Sequence, residues 1–169
     1  MTRFSIMHAV VAAVAILAGA VSLAAGPQNN VMNQDTPDKK EIRGYTLTAD
    51  KLTRYEGAVK AFEGVMKSNP GLQDKLDAAS QNNAGPNTIA QSAAALDKFP
   101  QLTAAIKPFG FGSHEYIVMT YALVSAFGYV ETKKSSPNLP MPLTVSAANA
   151  AFVASNEARI QTLIQMLQG

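Results

Sequence analysis

The sequence contains no cysteine among its 169 residues. Disulfide bonds, thiolate metal ligands and covalent haem attachment through a C-x-x-C-H motif are therefore excluded, and so is the lipid anchor of bacterial lipoproteins. Stability must come from the packing of apolar side chains. A chain of this size can bury roughly 70% of its unfolded surface in one core, so one domain is sufficient.

Histidine is nearly as scarce, since the chain has only His8 and His114. The dipeptide H-E at position 114 begins like the H-E-x-x-H motif of zinc proteases, but Val118 occupies the place of the second histidine. One imidazole without thiolates builds no ordinary zinc site unless carboxylates supply the remaining ligands. Haem held by His114 and a methionine is the other alternative, although methionines in helices usually fill gaps in a core. We therefore predict no metal and no cofactor.

Charge of one sign is not in excess either, because 14 basic residues face 12 acidic ones, for a net charge of +2. Loss of residues 1–24 removes Arg3 alone and leaves 13 basic residues against 12 acidic ones. This balance lacks the excess of positive charge that is typical of proteins that bind nucleic acid or an anionic membrane. Neither is predicted as a partner.

The amino terminus resembles an export signal. Arg3 supplies one positive charge, and residues 9–25 carry none. Ser22 and Ala24 then occupy the −3 and −1 positions of a signal-peptidase site. The alternative is an uncleaved anchor, which usually needs about 20 strongly apolar residues, whereas this stretch is shorter and rich in alanine. We predict a signal peptide over 1–24 and an exported protein, periplasmic or secreted, with no membrane span after cleavage.

Residues 25–45 are predicted to be a disordered leader. The segment 26–44 has two prolines, a cluster of charges and almost no apolar content, so it cannot bury enough surface to order itself. Such a leader either holds the domain away from the export machinery or has no role. Order is expected to begin at Leu47, and a single helical domain is expected over 46–169.

Apolar residues in that domain recur at the three- and four-residue spacings of helices, and no segment shows sustained strand alternation. The segment 114–130 is apolar on all sides, which predicts a central helix surrounded by the others. The fold class is therefore all-α, an irregular helical bundle of three long and several short helices. The predicted helices cover residues 49–68, 70–80, 88–98, 101–107, 114–130 and 147–168.

Polar caps and proline-rich breaks separate these helices. The expected N-caps, whose side chains accept from free N–H groups of the first turn, are Thr48, Asn87, Ser113 and Ser146. The loop SSPNLPMPL, residues 135–143, contains three prolines and is expected to run extended along the surface.

Four of six weak ligand-binding candidates lie in the segment GFGSHEY, residues 110–116: Ser113, His114, Glu115 and Tyr116. The glycines before a helix can cradle an anion with free N–H groups, but the G-x-G-x-x-G pattern, a P-loop lysine and a preceding strand are missing. Ser113 and His114 are adjacent, and neighbours at a helix start do not point at each other as nucleophile and base. The other interpretation is a tight interhelical turn capped by Ser113.

The remaining two candidates are Asn149 and Asn156, which lie seven residues apart on one stripe of the last predicted helix. They either hydrogen-bond a ligand inside the bundle, or they have a structural role and tie down the proline-rich loop or fix the helix register. We favour the structural interpretation.

The segments GYTLTADKLTRYEGAV and VSAANAAFVASNEARIQTLI resemble a loosely defined family of short, exported, all-helical bacterial proteins of unknown function. The similarity spans most of residues 45–168 and rests on caps and core positions, so it implies a fold and no activity. Stress-response periplasmic chaperones with L-T-x-x-Q elements are a weaker resemblance, because Lys51 and Ile106 stand where glutamine is required.

Two function classes follow. The first is a non-enzymatic binding or interaction module of the cell envelope, which holds a small apolar ligand or a partner protein in a groove between helices. The alternative is an enzyme or cofactor carrier that uses His114 and its neighbours, Glu115 and Tyr116.

Overall fold

The computed structural model describes residues 34–81 and 88–168, and within these ranges the chain is helical without strands. The predicted all-α fold class is confirmed. The elements are α1 (Pro37–Gly44), α2 (Ala49–Ser68), α3 (Gly71–Gln81), α4 (Ile89–Asp97), α5 (Pro100–Ile106), a 3₁₀ turn (Lys107–Phe109), α6 (Ser113–Ser135), α7 (Ala147–Ser155) and α8 (Glu157–Gln168).

Helix α6 is the central helix, as its apolar residues predicted. It packs against α1, α4 and α7, and it also contacts α5 and α8. Met119, Leu123 and Ala126 of this helix have no exposed surface. Ala122 and Ala126, four residues apart, are both buried, and their small side chains let a neighbouring helix approach closely.

The caps of α2 and α7 follow the sequence prediction. The Thr48 hydroxyl accepts a 3.2 Å hydrogen bond from the backbone N–H of Lys51, and the Ser146 hydroxyl accepts one of 3.1 Å from the N–H of Asn149. Helix α2 covers residues 49–68 as expected. Local side-chain chemistry was therefore sufficient to predict these helix starts.

Helix α1 departs from the prediction of a disordered leader over 25–45. Thr36 caps it, Pro37 occupies its first turn, and Asp38 and Arg43 lie at the ends where their charges suit the helix dipole. Ile42, the one large apolar residue of this helix, is 1% exposed. Order thus begins before Leu47. The predicted signal peptide and residues 25–33 lie outside the described residues.

Polar contacts with distant residues explain why this hydrophilic segment folds. The Asp38 carboxylate accepts from the backbone N–H of Ile89 at 2.9 Å, at the start of α4. The Arg43 guanidinium donates to the carbonyl oxygen of Leu143 at 2.9 Å. Average composition underestimated the order of α1, because these partners lie 51 and 100 residues away along the chain.

Two helix starts differ from expectation. Ser113, the predicted cap of α6, is its first helical residue, and Gly112 holds the cap position without a side-chain hydrogen bond. Thr88 caps α4, since its hydroxyl accepts from the N–H of Gln91 while the Gln91 side chain accepts from the N–H of Thr88, a capping box. The predicted cap Asn87 lies in the undescribed gap.

The helix predicted over 147–168 is divided into α7 and α8 at Asn156. The backbone of Asn156 is not helical (φ −122°, ψ 21°), and its side-chain Nδ2 donates to the carbonyl oxygen of Phe152 at 2.8 Å. Asparagine competes with helix continuation through such local bonds. Val153 and Ile160 are buried on either side of the break. The apolar spacing therefore continues across the break, and the sequence pattern predicts one helix where the structure has two.

Candidate functional site

The turn before α6 is tight because Gly110 adopts the left-handed backbone conformation, with φ of 79°, which glycine tolerates without strain. Phe111 follows and is 2% exposed. This geometry turns the chain from the 3₁₀ turn into α6 and places residues 113–116 on the first turn of the central helix. Each of these four predicted site residues contacts a different part of the molecule.

Ser113 links α6 to α4. Its hydroxyl donates a 2.5 Å hydrogen bond to Oδ1 of Asp97, the last residue of α4. A carboxylate is unfavourable at the carboxyl end of its own helix, but here it lies beside the amino-terminal turn of α6, where the helix dipole favours negative charge. The Ser113 side chain is therefore engaged in a contact between helices.

His114 contacts α1. Its Nε2 lies 2.7 Å from Oε1 of Glu41, and the two side chains are 54% and 44% exposed. A protonated imidazole makes this contact an ion pair, and a neutral one leaves a hydrogen bond. Solvent screens a pair at this exposure, so the contact joins α6 to α1 but contributes little to stability.

Glu115 contacts the linker between α1 and α2. Its Oε1 accepts a 2.9 Å hydrogen bond from the hydroxyl of Tyr45. Partial burial, followed by this bond to Glu115, raises the pKa of Tyr45 above its usual value, so the phenol stays protonated and remains a donor. The Lys51 ammonium lies 3.8 Å from the centre of the Tyr45 ring, which adds a cation–π contact.

Tyr116 belongs to an aromatic cluster in the core. Its ring stacks on Phe62 with centroids 5.8 Å apart and lies 5.2 Å from the ring of Tyr55. Burial raises the pKa of Tyr116 and of Tyr55 well above the ordinary phenol range. Both groups are therefore neutral donors at physiological pH, and neither is poised to act as a general base.

A chain of hydroxyl groups runs through this cluster. The Thr120 hydroxyl donates to the backbone carbonyl of Tyr116 at 2.7 Å and lies 2.5 Å from the hydroxyl of Tyr55. A threonine hydroxyl has one proton. Because Thr120 gives it to the carbonyl, Tyr55 donates to Thr120, and the buried phenol is satisfied without a ligand.

Asn149 connects α7 to the same linker that Glu115 contacts. It is 1% exposed. Its Oδ1 accepts from the backbone N–H of Leu47 at 3.0 Å, and its Nδ2 donates to the carbonyl oxygen of Tyr45 at 2.7 Å. Both ends of the amide are occupied by backbone groups. The segment held is residues 45–47 and not the proline-rich loop named in the structural hypothesis.

Asn156 is separated from Asn149 by the break in the helix. Its amide bonds to the backbone of its own helix at Phe152. The two asparagines therefore do not lie on one stripe of a continuous helix, and the structure does not bring Asn156 together with the candidates on α6.

The proline-rich loop displays a feature that the sequence did not single out as a site. Among the described residues, the exposed large apolar side chains are Met141 and Leu143, at 43% and 36%. Pro140 and Pro142 are exposed beside them, so residues 140–143 form one continuous apolar surface segment. The signal in the sequence is the alternation of proline with large apolar residues in a loop otherwise expected to be polar.

This loop is held in place at both ends. The N–H of Leu139 donates to the carbonyl of Ser136, and the N–H of Val145 donates to the carbonyl of Pro142, each at 3.0 Å. Val145 is 2% exposed and anchors the loop in the core. The Arg43 guanidinium also holds the Leu143 carbonyl, so the exposed apolar segment is part of a fixed scaffold.

Within residues 34–81 and 88–168, no group of three or more His, Cys, Asp or Glu side chains is placed to hold a metal ion. No helix in this described part of the chain combines the length and the apolar character required to cross a bilayer.

Comparison with known proteins found no match for this chain among protein-family models, curated proteins or solved structures. The resemblance to short exported bacterial proteins therefore remains a prediction.

Proposed function

We propose that the protein is a non-enzymatic interaction module of the bacterial cell envelope, and that it binds a partner protein through the loop of residues 136–145. The observation that carries this proposal is the exposed apolar segment 140–143 on a loop pinned by two β-turns and by Arg43. Contiguous exposed apolar groups favour a role in binding, and rigid scaffolds commonly present binding residues on loops.

The contacts of the predicted site residues support a scaffold role for the rest of the domain. The functional groups of Ser113, His114 and Glu115 each pair with a side chain from another element. The Asn149 amide is bonded to backbone at both ends. These groups connect α1, α4 and the 45–47 linker to α6 and α7.

Placement in the cell envelope is supported by the amino-terminal sequence. A single charge at Arg3, an uncharged stretch over residues 9–25 and small residues at its end are typical of a secretory signal. We propose cleavage after Ala24 and export to the periplasm or beyond.

Native mass spectrometry of the protein isolated from its own cell envelope tests the proposed function. We expect a bound partner on the wild-type protein and its loss from the Met141→Glu/Leu143→Glu double variant, because two new charges cannot be desolvated in an apolar contact. Gln165→Glu, an acidic substitution at an exposed position of α8, is the matched control and should keep the partner. Bare wild-type monomer, or a partner that survives the double substitution, contradicts the proposal.

A further inference from the structure

Four consecutive residues of the exposed loop have a restricted backbone. Each proline ring fixes φ near about −65° at Pro140 and Pro142, and each disfavours the helical region for the residue before it, Leu139 and Met141. One β-turn ends at Leu139 and the next begins at Pro142. All peptide bonds of the described chain are trans. Residues 139–142 are neither helical nor central residues of a turn, and their residue types favour extended and polyproline II conformations.

The surrounding structure holds this segment in its exposed position. Residue 135 ends α6, and Ser146 caps α7, so the loop spans two packed helices. The Leu143 carbonyl is bonded to Arg43, while Pro140 and Met141, between the two β-turns, make no backbone–backbone hydrogen bond to another residue of 34–81 or 88–168. A segment that is already ordered loses little conformational freedom when a partner binds it.

The size of the apolar surface argues against a second copy of this chain as the occupant. A stable dimer usually buries about 1,200–2,000 Å² in total. The exposed large apolar side chains of the described residues, Met141 and Leu143, are confined to this one loop. A short, proline-rich segment is instead typical of a ligand whose few consecutive residues bind in a groove of another protein.

We infer that the partner is a protein with a groove lined by aromatic side chains, and that it accepts residues 139–142 as a polyproline II segment, with Leu143 exposed at the turn that follows. Flat aromatic rings pack well against proline rings, and the thioether of Met141 makes favourable contacts with them. The inference rests on the proposed function, because it names the kind of partner that the same loop binds.

Site-specific photo-cross-linking in the exporting cell tests this inference. A benzophenone amino acid replaces Asn138, which is exposed in the first β-turn, so residues 139–143 stay intact in the full-length protein. The cross-linked residues on the partner are then mapped by mass spectrometry. We expect them to lie in a site with at least two aromatic side chains, since proline-recognition grooves are built from such residues.

A proline variant tests the backbone conformation separately. Pro140→Ala/Pro142→Ala releases φ but keeps Met141 and Leu143, so we expect the cross-link yield to fall by about tenfold. Pro100→Ala, at the exposed first position of α5, is the matched control and should leave the yield unchanged. Circular dichroism establishes that each variant keeps its helical content.

The outcomes separate this inference from the proposed function. Capture of a partner supports the inference only when the cross-links map to a site with aromatic side chains and the cross-link yield depends on Pro140 and Pro142. Cross-links to a second copy, to lipid, or to a site without aromatic side chains overturn the inference, as does an undiminished yield in the double proline variant. A protein captured in one of these other ways leaves the proposed function standing, whereas capture of lipid alone, or of no partner, contradicts both.

Discussion

The side-chain Nδ2 of Asn149 donates a 2.7 Å hydrogen bond to the carbonyl oxygen of Tyr45, which lies 104 residues earlier in the chain. Its Oδ1 accepts from Leu47 on the same linker. One buried amide therefore fixes the path of the chain between α1 and α2, and with it the position from which α1 reaches the proline-rich loop.

Replacement of Asn149 by alanine should destabilise the fold strongly. The substitution leaves the buried N–H of Leu47 without this partner, so we expect the free energy of unfolding to fall by about 2–4 kcal/mol. Urea denaturation followed by circular dichroism measures the change. Asn156→Ala is the matched control: it removes a bond within one helix and should cost about 1 kcal/mol or less. Equal losses of unfolding free energy in the two variants would contradict the role of Asn149 in holding the linker of residues 45–47.

Two glycines of α2 should respond to alanine in opposite directions. A Cβ at Gly57 meets the ring of Phe109, whereas a Cβ at Gly64 meets nothing within 4 Å. We expect Gly57→Ala to lower the free energy of unfolding by about 1–3 kcal/mol through overpacking. Gly64→Ala should raise it by about 0.5–1 kcal/mol because alanine favours the helix. Thermal unfolding of both variants measures the difference, and stabilisation by both would exclude the close packing of the 3₁₀ turn on α2.

Arg159 should contribute more to stability than the single-contact ion pairs of the surface. Its guanidinium makes two hydrogen bonds to the Glu56 carboxylate, of 2.6 and 2.8 Å, and a third to Thr53, which joins α8 to α2. We expect Arg159→Gln to cost about 1 kcal/mol, less at high salt. Lys67→Gln, which breaks the single contact with Glu63, should cost about 0.5 kcal/mol or less. Urea unfolding at low and high salt compares them, and a smaller effect at Arg159 would refute the cross-helix link.

Stability should fall at alkaline pH because of the buried phenols. Burial raises the pKa of Tyr55 and Tyr116 above the ordinary value of 10.0. Above about pH 10 the unfolded chain loses phenol protons that the folded state keeps, so the free energy of unfolding decreases as pH rises. Urea unfolding from about pH 8 to about pH 11 measures this slope. Tyr55→Phe should flatten it, and a stability that holds constant or increases over this range would contradict the burial of these groups.

Local signals predicted the parts of the fold that local chemistry determines. The extent of α2, the caps Thr48 and Ser146 and the central position of α6 were confirmed because side-chain caps and apolar spacing act within one helix. Helix α1 was missed because its order depends on Ile42 entering a distant core and on Asp38 and Arg43 bonding to residues of α4 and the proline-rich loop. The composition of the segment does not indicate which distant residues it contacts.

The candidate site shows the same division. The sequence predicted Ser113 as a cap and residues 114–116 on the first turn of a helix, but it did not indicate the partners Asp97, Glu41 and Tyr45. The prediction that Asn149 and Asn156 share one stripe required one continuous helix. The local hydrogen bond of Asn156 to Phe152 accompanies the helix break, so the two residues no longer share a stripe. The proline-rich loop was expected at the surface, yet only the three-dimensional contacts reveal that it is fixed there.

Calorimetry with the partner protein recovered by native mass spectrometry tests whether residues 140–143 form the binding surface. Replacing two apolar side chains at the centre of an interface should weaken the affinity of the Met141→Glu/Leu143→Glu variant by about 100-fold, while His114→Ala leaves it within about twofold. An unchanged affinity of the loop variant, together with loss of binding in His114→Ala, would contradict the account and place the functional site at the start of α6.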